Sequence, residues 1–220
     1  LERIKLGTVG QPIPGLEVRI ADDGEILVKG PSVMLGYYRD EAATAAAIEQ
    51  GWFHTGDIGF LDPDGFLTIT DRKKDLLVTA GGKNVAPQPI ENRLKQDAWI
   101  AEAVLFGDRR PYCIALLVPD FARLTAWARE QGLPGDVATL CAHPRVLEMF
   151  MARIAPVNAD LASFESIKRI GLIDRELTVA AGDLTPTLKV KRRVLAERFG
   201  PLIEAIYAAP QGAAGEGGNG

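Results

Sequence analysis

The sequence has few cysteines and no long apolar run. Its 220 residues include two cysteines, Cys113 and Cys141, which is typical of reduced intracellular thiols and not of a disulfide framework. Neither cysteine has the sequence surroundings expected of a nucleophile. No apolar run reaches the roughly 18 residues of a membrane-spanning helix, and no export signal is recognisable. We therefore expect a cytoplasmic protein, with peripheral membrane association left open.

Histidine is also scarce, and basic residues do not outnumber acidic ones. The two histidines, His54 and His143, lie far apart, and no His/Cys cluster has zinc-binding spacing, so no metal site is predicted. The G-x-S-x-G motif of hydrolases and the Walker phosphate loop are absent. A net charge of −4 offers no broad basic surface, although Lys189, Lys191 and the two arginines that follow form a local basic cluster. No nucleic-acid partner is expected.

What remains is the composition of an ordinary globular protein. Hydrophobic residues make up 47% and charged residues 25% of the chain, which allows one or two domains. Alternating apolar residues predict two hairpins in the first part, at residues 18–28 and 58–70. Between them, Asp40 is placed to cap a short helix at residues 41–48. The segment 52–57 predicts a polar loop flanked by aromatic residues.

The second part of the chain mixes helical and strand periodicity. Strands are predicted at residues 103–106, 112–118, 167–173 and 177–179, and helices at residues 87–95, 121–132, 147–161 and 194–206. Pro156 should kink or split the third of these helices, and Gly200-Pro201 should interrupt the last. Glu91 and Lys95 have the spacing of a helical ion pair. The sequence therefore predicts an α+β fold.

The segment 71–87, DRKKDLLVTAGGKNVAP, separates the two parts. Charged residues are followed by a short apolar run, then Gly81-Gly82, then a proline that can open a helix. This order predicts a linker, a strand, a tight turn and a helix start, and makes the segment a hinge candidate. The alternative is an ordinary charged turn between two strands.

Three side chains have the chemistry of a nucleotide site. Asp57, beside the small Gly56, could accept hydrogen bonds from two vicinal ribose hydroxyls, or could simply form a turn. Arg72 presents a planar donor fork, with an ion pair to Asp71 or Asp75 as the alternative. Lys189 lies between a proline-containing loop and a helix start, where it could reach phosphate oxygens or belong to a solvated basic face with Lys191, Arg192 and Arg193.

Three motifs in order resemble those of the adenylate-forming (ANL) superfamily: GWFHTGD at residues 51–57, the segment 71–87, and LTPTLKVKR at residues 184–192. The form of the second motif is similar to that of long-chain fatty acyl-CoA synthetases, which are AMP-forming ligases. The resemblance runs from about Gly7 to Tyr207. The family's phosphate loop, acyl pocket and magnesium-binding glutamate belong to a large N-terminal domain and match nothing here.

The resemblance implies a division of the chain. Residues 1–73 are expected to end the large AMP-binding domain with its β-rich lobe, and residues 74–209 to form a mobile C-terminal α+β lid domain. The hinge would lie at Lys74. Residues 210–220, which are rich in glycine and alanine, are expected to be a disordered tail.

The resemblance also implies roles. Lys189 would be the adenylation lysine, and Asp57, Arg72 and Thr55 would bind the nucleotide. The Gly81-Gly82 turn would lie beside the pantetheine of CoA during thioester formation. ATP or AMP, CoA and Mg²⁺ are the implied cofactors, fatty acid is the substrate, and the missing N-terminal domain is the partner.

The implied reaction converts a long-chain fatty acid to acyl-AMP and then to acyl-CoA, releasing pyrophosphate and AMP. The 220-residue chain alone is expected to be inactive. Two alternatives stay open. A fatty acyl-AMP ligase would pass the adenylate to a carrier protein, but the short segment between residues 71 and 87 leaves little room for the insertion expected there. A non-catalytic binding module is the other alternative.

Overall fold

The computed structural model describes residues 4–133 and 135–209 and divides the chain into two compact units. Unit 1 comprises residues up to 76 together with 86–89, and unit 2 comprises residues 77–85 and those from 90 onward. This division falls a few residues beyond the predicted domain boundary between residues 73 and 74. The hinge at Lys74 stays a prediction. The predicted tail at residues 210–220 lies outside the described residues.

Unit 1 is built on an antiparallel sheet with one short helix. Its strands are β1 (Glu17–Ile20), β2 (Glu25–Lys29), β3 (Ile48–Glu49), β4 (Trp52–Leu61) and β5 (Leu67–Arg72), and its helix is α1 (Glu41–Ala47). The strand order is β1-β2-β4-β3, and β5 also pairs with β4. The β1–β2 and β4–β5 pairs confirm both predicted hairpins. The sheet places the end of β5 beside the middle of β4, where Arg72 is paired with Asp57.

Helix α1 confirms the predicted cap. The Asp40 carboxylate accepts a hydrogen bond from the Ala43 amide at 2.8 Å, which satisfies one of the free amides of the first turn. The helix ends at Ala47, because Ile48 turns to an extended conformation and pairs with Phe53 of β4.

The prediction of a loop at residues 52–57 is wrong, because this segment is the first half of β4. Its polar side chains break the apolar alternation that would predict a strand, yet they have hydrogen-bond partners across the sheet. The Thr55 hydroxyl donates to the Ile26 carbonyl at 2.7 Å, and His54 Nδ1 lies 2.9 Å from Glu25. Gly56, with φ +70°, bends the strand before Asp57.

Unit 2 has a three-stranded sheet covered by helices on both faces and a separate two-stranded sheet. Its strands are β6 (Leu77–Val78), β7 (Asn84–Val85), β8 (Ile100–Phe106), β9 (Cys113–Pro119) and β10 (Ile167–Leu172). The helices are α2 (Pro87–Leu94), whose first turn belongs to unit 1, and α3 (Phe121–Glu130), α4 (Val137–Ala142), α5 (Pro144–Ala159), α6 (Arg192–Arg198) and α7 (Gly200–Ala208). Strand β9 lies in the centre of the three-stranded sheet, antiparallel to β8 and parallel to β10, and β6 pairs with β7 in the two-stranded sheet.

The alternation of apolar residues along β8 and β9 divides the core into two. Leu105, Ala115 and Leu117 pack with the helices that precede and follow the hairpin, including buried Phe150 of α5. The side chains between them in sequence pack on the opposite face, where Leu195 of α6 is buried. All seven residues of β9 are buried, as expected for a strand covered on both faces. The α+β expectation is confirmed.

Two local predictions in unit 2 differ from the structure. Helix α5 is not split at Pro156, because buried Phe150 and Ile154 hold its inner face in the core and the proline lies close to the C-terminal end; a kink at Pro156 stays a prediction. Residues 177–179 do not form a strand. Their backbone instead hydrogen-bonds to Asp183, through the Thr178 amide and carbonyl. The interruption of the last helix at Gly200-Pro201 is confirmed by the separation of α6 and α7.

Candidate functional site

Strands β4 and β5 place Asp57 and Arg72 side by side. The two residues are cross-strand partners, and Arg72 Nε lies 2.9 Å from Asp57 Oδ1. The Arg72 side chain is 54% exposed and the Asp57 side chain 25%, so both can meet a ligand. Asp57 therefore lies within a strand, not at the end of a loop as predicted. The alternatives that paired Arg72 with Asp71 or Asp75 as an ion pair are wrong, since the buried Asp71 carboxylate accepts the Arg72 backbone amide instead.

Thr55 braces this pair from within the same strand. Its hydroxyl donates to Ile26 and accepts the Asp57 amide at 3.1 Å, and its carbonyl accepts Arg72 Nη1 at 3.4 Å. Thr55, Asp57 and Arg72 are thus brought together in unit 1. The hydroxyl is engaged within the protein, and its contact with a nucleotide stays a prediction.

Glu25 is a contributor that the sequence analysis missed. Its carboxylate is only 3% exposed and accepts from the Gly56 amide at 3.0 Å, from His54 at 2.9 Å and from Lys73 at 2.9 Å. Burial raises the pKa of Glu25, but the hydrogen bonds from Lys73 and His54 outweigh it and the pKa is lowered overall. A charged residue at the start of the apolar run of β2 is the signal that could have identified it. Glu25 thereby connects the strand of Asp57 to the start of the hinge segment.

The predicted hinge begins with a short 3₁₀ helix, Lys73–Asp75. The Lys73 ammonium lies 2.7 Å from Asp23 and 2.9 Å from Glu25, and the hydrogen bond to Asp23 is the main reason that the pKa of Lys73 is raised. Lys74 is exposed. Lys73 is therefore held in unit 1, and the adjacent Lys74 is left at the surface.

The predicted tight turn at Gly81-Gly82 is confirmed and is exposed, but it joins β6 to a second short strand, β7, which was not predicted. The Thr79 hydroxyl accepts the Lys83 amide at 3.1 Å, and the Gly82 amide donates to the Thr79 carbonyl at 2.8 Å. Gly82 has φ +72°, and a Cβ there would meet no atom within 4 Å. This backbone conformation favours glycine, and the surrounding space is open to a ligand.

Lys189 lies on an exposed loop of unit 2 between residues 184 and 190. Leu184 and Val190 form a bridge at its base, and the Lys189 amide donates to the Thr185 hydroxyl at 3.0 Å. Leu188 adopts φ +60°, which turns the chain immediately before the lysine. The backbone of Lys189 is therefore fixed within the loop and its side chain is exposed to solvent.

One prediction assigned Arg192 to a solvated basic face, and this is wrong. Its guanidinium forms an ion pair with Glu91, and its Nε donates to the Leu105 carbonyl at 3.0 Å. The predicted Glu91–Lys95 pair is also wrong, since Lys95 pairs with Glu102 at 2.9 Å. The reason is that the Glu91 carboxylate turns inward to accept the Leu105 amide at 2.7 Å. Arg193 pairs with Glu197 one turn along α6.

The described residues offer neither a metal-binding cluster nor a membrane-spanning helix. Across residues 4–133 and 135–209, no group of three or more His, Cys, Asp or Glu side chains is arranged to hold a metal ion. None of the described helices is both long enough and apolar enough to cross a membrane.

Both cysteines are buried, and burial raises the pKa of each thiol to about 11.

Comparison with known proteins places this arrangement in a family. The family model for the AMP-binding enzyme C-terminal domain matches residues 74–211. The chain is 45% identical to the long-chain-fatty-acid–CoA ligase FadD15 of Mycobacterium tuberculosis, over 93% of this chain and 34% of the relative. It is 36% identical to the human long-chain-fatty-acid–CoA ligase 1, over 92% of this chain and 31% of the relative.

A solved structure of similar fold is the O-succinylbenzoate coenzyme A synthetase MenE from Bacillus subtilis in complex with AMP. It has a TM-score of 0.57 and 29% identity, over 87% of this chain and 35% of that one. The chain spans about a third of the length of the curated relatives cited above. The family match covers more than half of the chain, and the chain therefore belongs to the family of AMP-binding, adenylate-forming enzymes and contains their C-terminal domain.

Proposed function

We propose that this chain is the C-terminal part of an ATP-dependent long-chain fatty acyl-CoA synthetase. The observation that carries the proposal is the partly exposed Asp57–Arg72 pair, in a chain that is 45% identical to a long-chain-fatty-acid–CoA ligase. The substrates would be a fatty acid, ATP and CoA. The enzyme would act in the cytoplasm, with or without peripheral association with a membrane.

Asp57 and Arg72 would bind the ribose of ATP. Arg72 engages Oδ1 of Asp57, and among the described residues Oδ2 has no hydrogen-bond partner and can accept from a ribose hydroxyl. The guanidinium has further N–H groups that can donate to ligand oxygens. Because Glu25 accepts from the Gly56 amide and Thr55 accepts from the Asp57 amide, the backbone that carries the carboxylate is held in place.

Lys189 would stabilise the charge that develops in the first half-reaction. The fatty-acid carboxylate oxygen attacks the α-phosphorus of ATP, a new P–O bond forms, and the bond to pyrophosphate breaks. Negative charge is crowded on the transferring group, and an ammonium placed there lowers the barrier. The exposed side chain of Lys189 on its fixed loop is suited to this role.

The second half-reaction would use the Gly81-Gly82 turn. The CoA thiolate attacks the acyl carbonyl carbon, the thioester bond forms, and AMP leaves with the electron pair of the broken C–O bond. We propose that rotation about Lys74 withdraws Lys189 and brings the glycine turn to the pantetheine. The open space around Gly82 is compatible with a close approach of the ligand.

Mg²⁺ is also expected from the family resemblance. The described residues offer no cluster of ligand side chains for it. Its ligand is expected in the large N-terminal domain.

The test of this function is Lys189→Ala in the complete enzyme. ATP–pyrophosphate exchange driven by a long-chain fatty acid should fall by on the order of a hundredfold or more, the scale of removing one charge-stabilising group. Lys168→Ala, which removes an exposed lysine from β10 of the same unit, is the matched control and should keep full exchange. Full exchange in both variants would refute the catalytic role of Lys189 and favour a non-catalytic module.

A fatty acyl-AMP ligase is the second candidate. Between Lys73 and Pro87 the described chain consists of the 3₁₀ turn and the compact β6–β7 hairpin, with no further element. This compactness favours the CoA ligase, because an insertion near the hinge is expected in the alternative. Supplying the complete enzyme with CoA or with a carrier protein as acceptor separates the two, and we expect acyl-CoA as the product.

A further inference from the structure

The loop that carries Lys189 is stiffened by its own hydrogen bonds. The Thr185 amide donates to the Lys189 carbonyl at 2.8 Å, and the Leu188 amide donates to the Thr185 carbonyl at 2.9 Å. Together with the bond from the Lys189 amide to the Thr185 hydroxyl, these contacts fix the shape of the loop. They do not fix the loop to the body of unit 2, so its orientation depends on the residues at its ends.

Asp183 holds the first end of the loop. Its side chain is fully buried and accepts two hydrogen bonds from Arg175, at 2.7 and 3.1 Å, one from the Thr178 amide at 3.2 Å, and one from Arg198. Its backbone carbonyl accepts the Lys191 amide at 2.8 Å, which closes the loop just beyond Lys189. One residue thus connects the segment after β10, both ends of the loop and the last turn of α6.

Each arginine that contacts Asp183 is held by further groups. Arg175 Nη1 also donates to the Glu176 carbonyl at 2.9 Å, and its guanidinium lies 5.4 Å from the centre of the Phe199 ring. Arg198 Nη2 donates to the Ala181 carbonyl at 2.9 Å. Asp183 is therefore the centre of a rigid anchor and not a mobile surface carboxylate.

The second end of the loop is held by Arg192, through its contacts with Glu91 and Leu105.

We propose that Asp183 is a positioning residue for Lys189, and that its paired arginines hold the root of the loop so that the ammonium is delivered to the same point in each adenylation cycle. This inference rests on the proposed function of Lys189. A lysine side chain has four rotatable bonds, so its reach is defined only if its backbone is fixed. A displacement of about 1 Å in a catalytic group can cost roughly a hundredfold in rate.

Asp183→Asn in the complete enzyme tests the inference. The substitution keeps the size of the side chain and removes the charge that both arginines share. Adenylation should fall about tenfold to a hundredfold. Thioester formation from synthetic acyl-AMP should change by less than about twofold, because Lys189 is not needed in that step. The matched control is Asp97→Asn, which removes the carboxylate paired with Arg153 at 3.2 Å elsewhere in unit 2 and should leave both half-reactions unchanged.

The double variant Asp183→Asn with Lys189→Ala distinguishes positioning from a general loss of structure. If Asp183 acts through Lys189, the double variant should be no slower in adenylation than Lys189→Ala alone. Additive losses, equal loss of both half-reactions, or the same loss in Asp97→Asn would overturn the inference. Should Asp183→Asn fail to fold, Arg198→Met removes one of the two arginines and leaves the other pair, and it should give the same pattern with a smaller loss.

The same experiment separates the inference from the proposed function. Normal adenylation in Lys189→Ala would overturn the role of the lysine and with it the positioning role. Normal adenylation in both Asp183→Asn and Arg198→Met, combined with a loss in Lys189→Ala, would overturn the positioning role alone.

Discussion

At the scale of single residues, the proposed role of Asp57 can be tested by removing its carboxylate. Its partner Arg72 lies on the adjacent strand, and neither side chain belongs to the buried core. Removal of the carboxylate should therefore affect the ligand more than the fold.

Asp57→Ala in the complete enzyme should weaken ATP use about ten- to a hundredfold, because charge-assisted hydrogen bonds contribute roughly 1.5 to 3 kcal/mol. The measurement is kcat/KM for ATP in the exchange reaction. Asp22→Ala, which removes an exposed aspartate from the β1–β2 turn, is the control and should behave as the unaltered enzyme. An unchanged kcat/KM for ATP in Asp57→Ala would refute the proposal that Asp57 binds the ribose.

Residue chemistry and motif resemblance identified Asp57, Arg72 and Lys189 as candidates but did not predict their partners. The Arg72–Asp57 and Arg192–Glu91 pairs join residues that are distant in sequence, and local spacing favoured Asp71 and Lys95 instead. The buried carboxylates Glu25 and Asp183 were missed for the same reason. Their arginine, lysine and histidine partners come together only when the sheet and helices form.

At the scale of secondary-structure elements, periodicity predicted both hairpins of unit 1 and the β8–β9 pair of unit 2. It failed where polar side chains are paired inside a strand, as in the first half of β4. It failed again at residues 177–179, where hydrogen bonds to Asp183 replace a strand ladder. Apolar spacing indicates which face of an element is buried, but it cannot show that a polar face is satisfied by a distant carboxylate.

The anchor at Asp183 also predicts a pH-dependent stability. The Arg175 guanidinium lowers the pKa of Asp183 below its ordinary value of 3.8. Such a carboxylate stabilises the fold fully above the unfolded pKa, and the contribution is lost as pH falls through the lowered pKa. The free energy of unfolding of Asp183→Asn should be about 1.5 to 2 kcal/mol lower at pH 7, at the low end for charged hydrogen bonds because both arginines are more than a third exposed to water.

This difference between the unaltered chain and Asp183→Asn should be the same at pH 5 and smaller at pH 3. Urea unfolding of the 220-residue chain in a Trp52→Phe background measures it, because the remaining tryptophans, Trp99 and Trp127, both report on unit 2. A difference that persists undiminished at pH 3, or that grows in acid, would contradict the assignment.

At the scale of the whole molecule, the proposed alternation of domains depends on the segment that connects the two units. Lys73 is held by Asp23 and Glu25 within unit 1, whereas Lys74 is exposed directly after it. The proposed pivot at Lys74 therefore directly follows a side chain that is held within unit 1. The motifs of the sequence indicated this position, and the contacts that fix Lys73 became visible only in the structure.

The measurement that tests the central claim most directly assays the two half-reactions separately in Lys189→Ala and Lys74→Pro. Proline fixes φ at the pivot, so Lys74→Pro should spare adenylation and stall thioester formation from synthetic acyl-AMP. Lys189→Ala should give the opposite pattern, with adenylation reduced about a hundredfold or more and thioester formation nearly normal. Equal loss of both half-reactions in both variants would contradict the alternation of domains about Lys74.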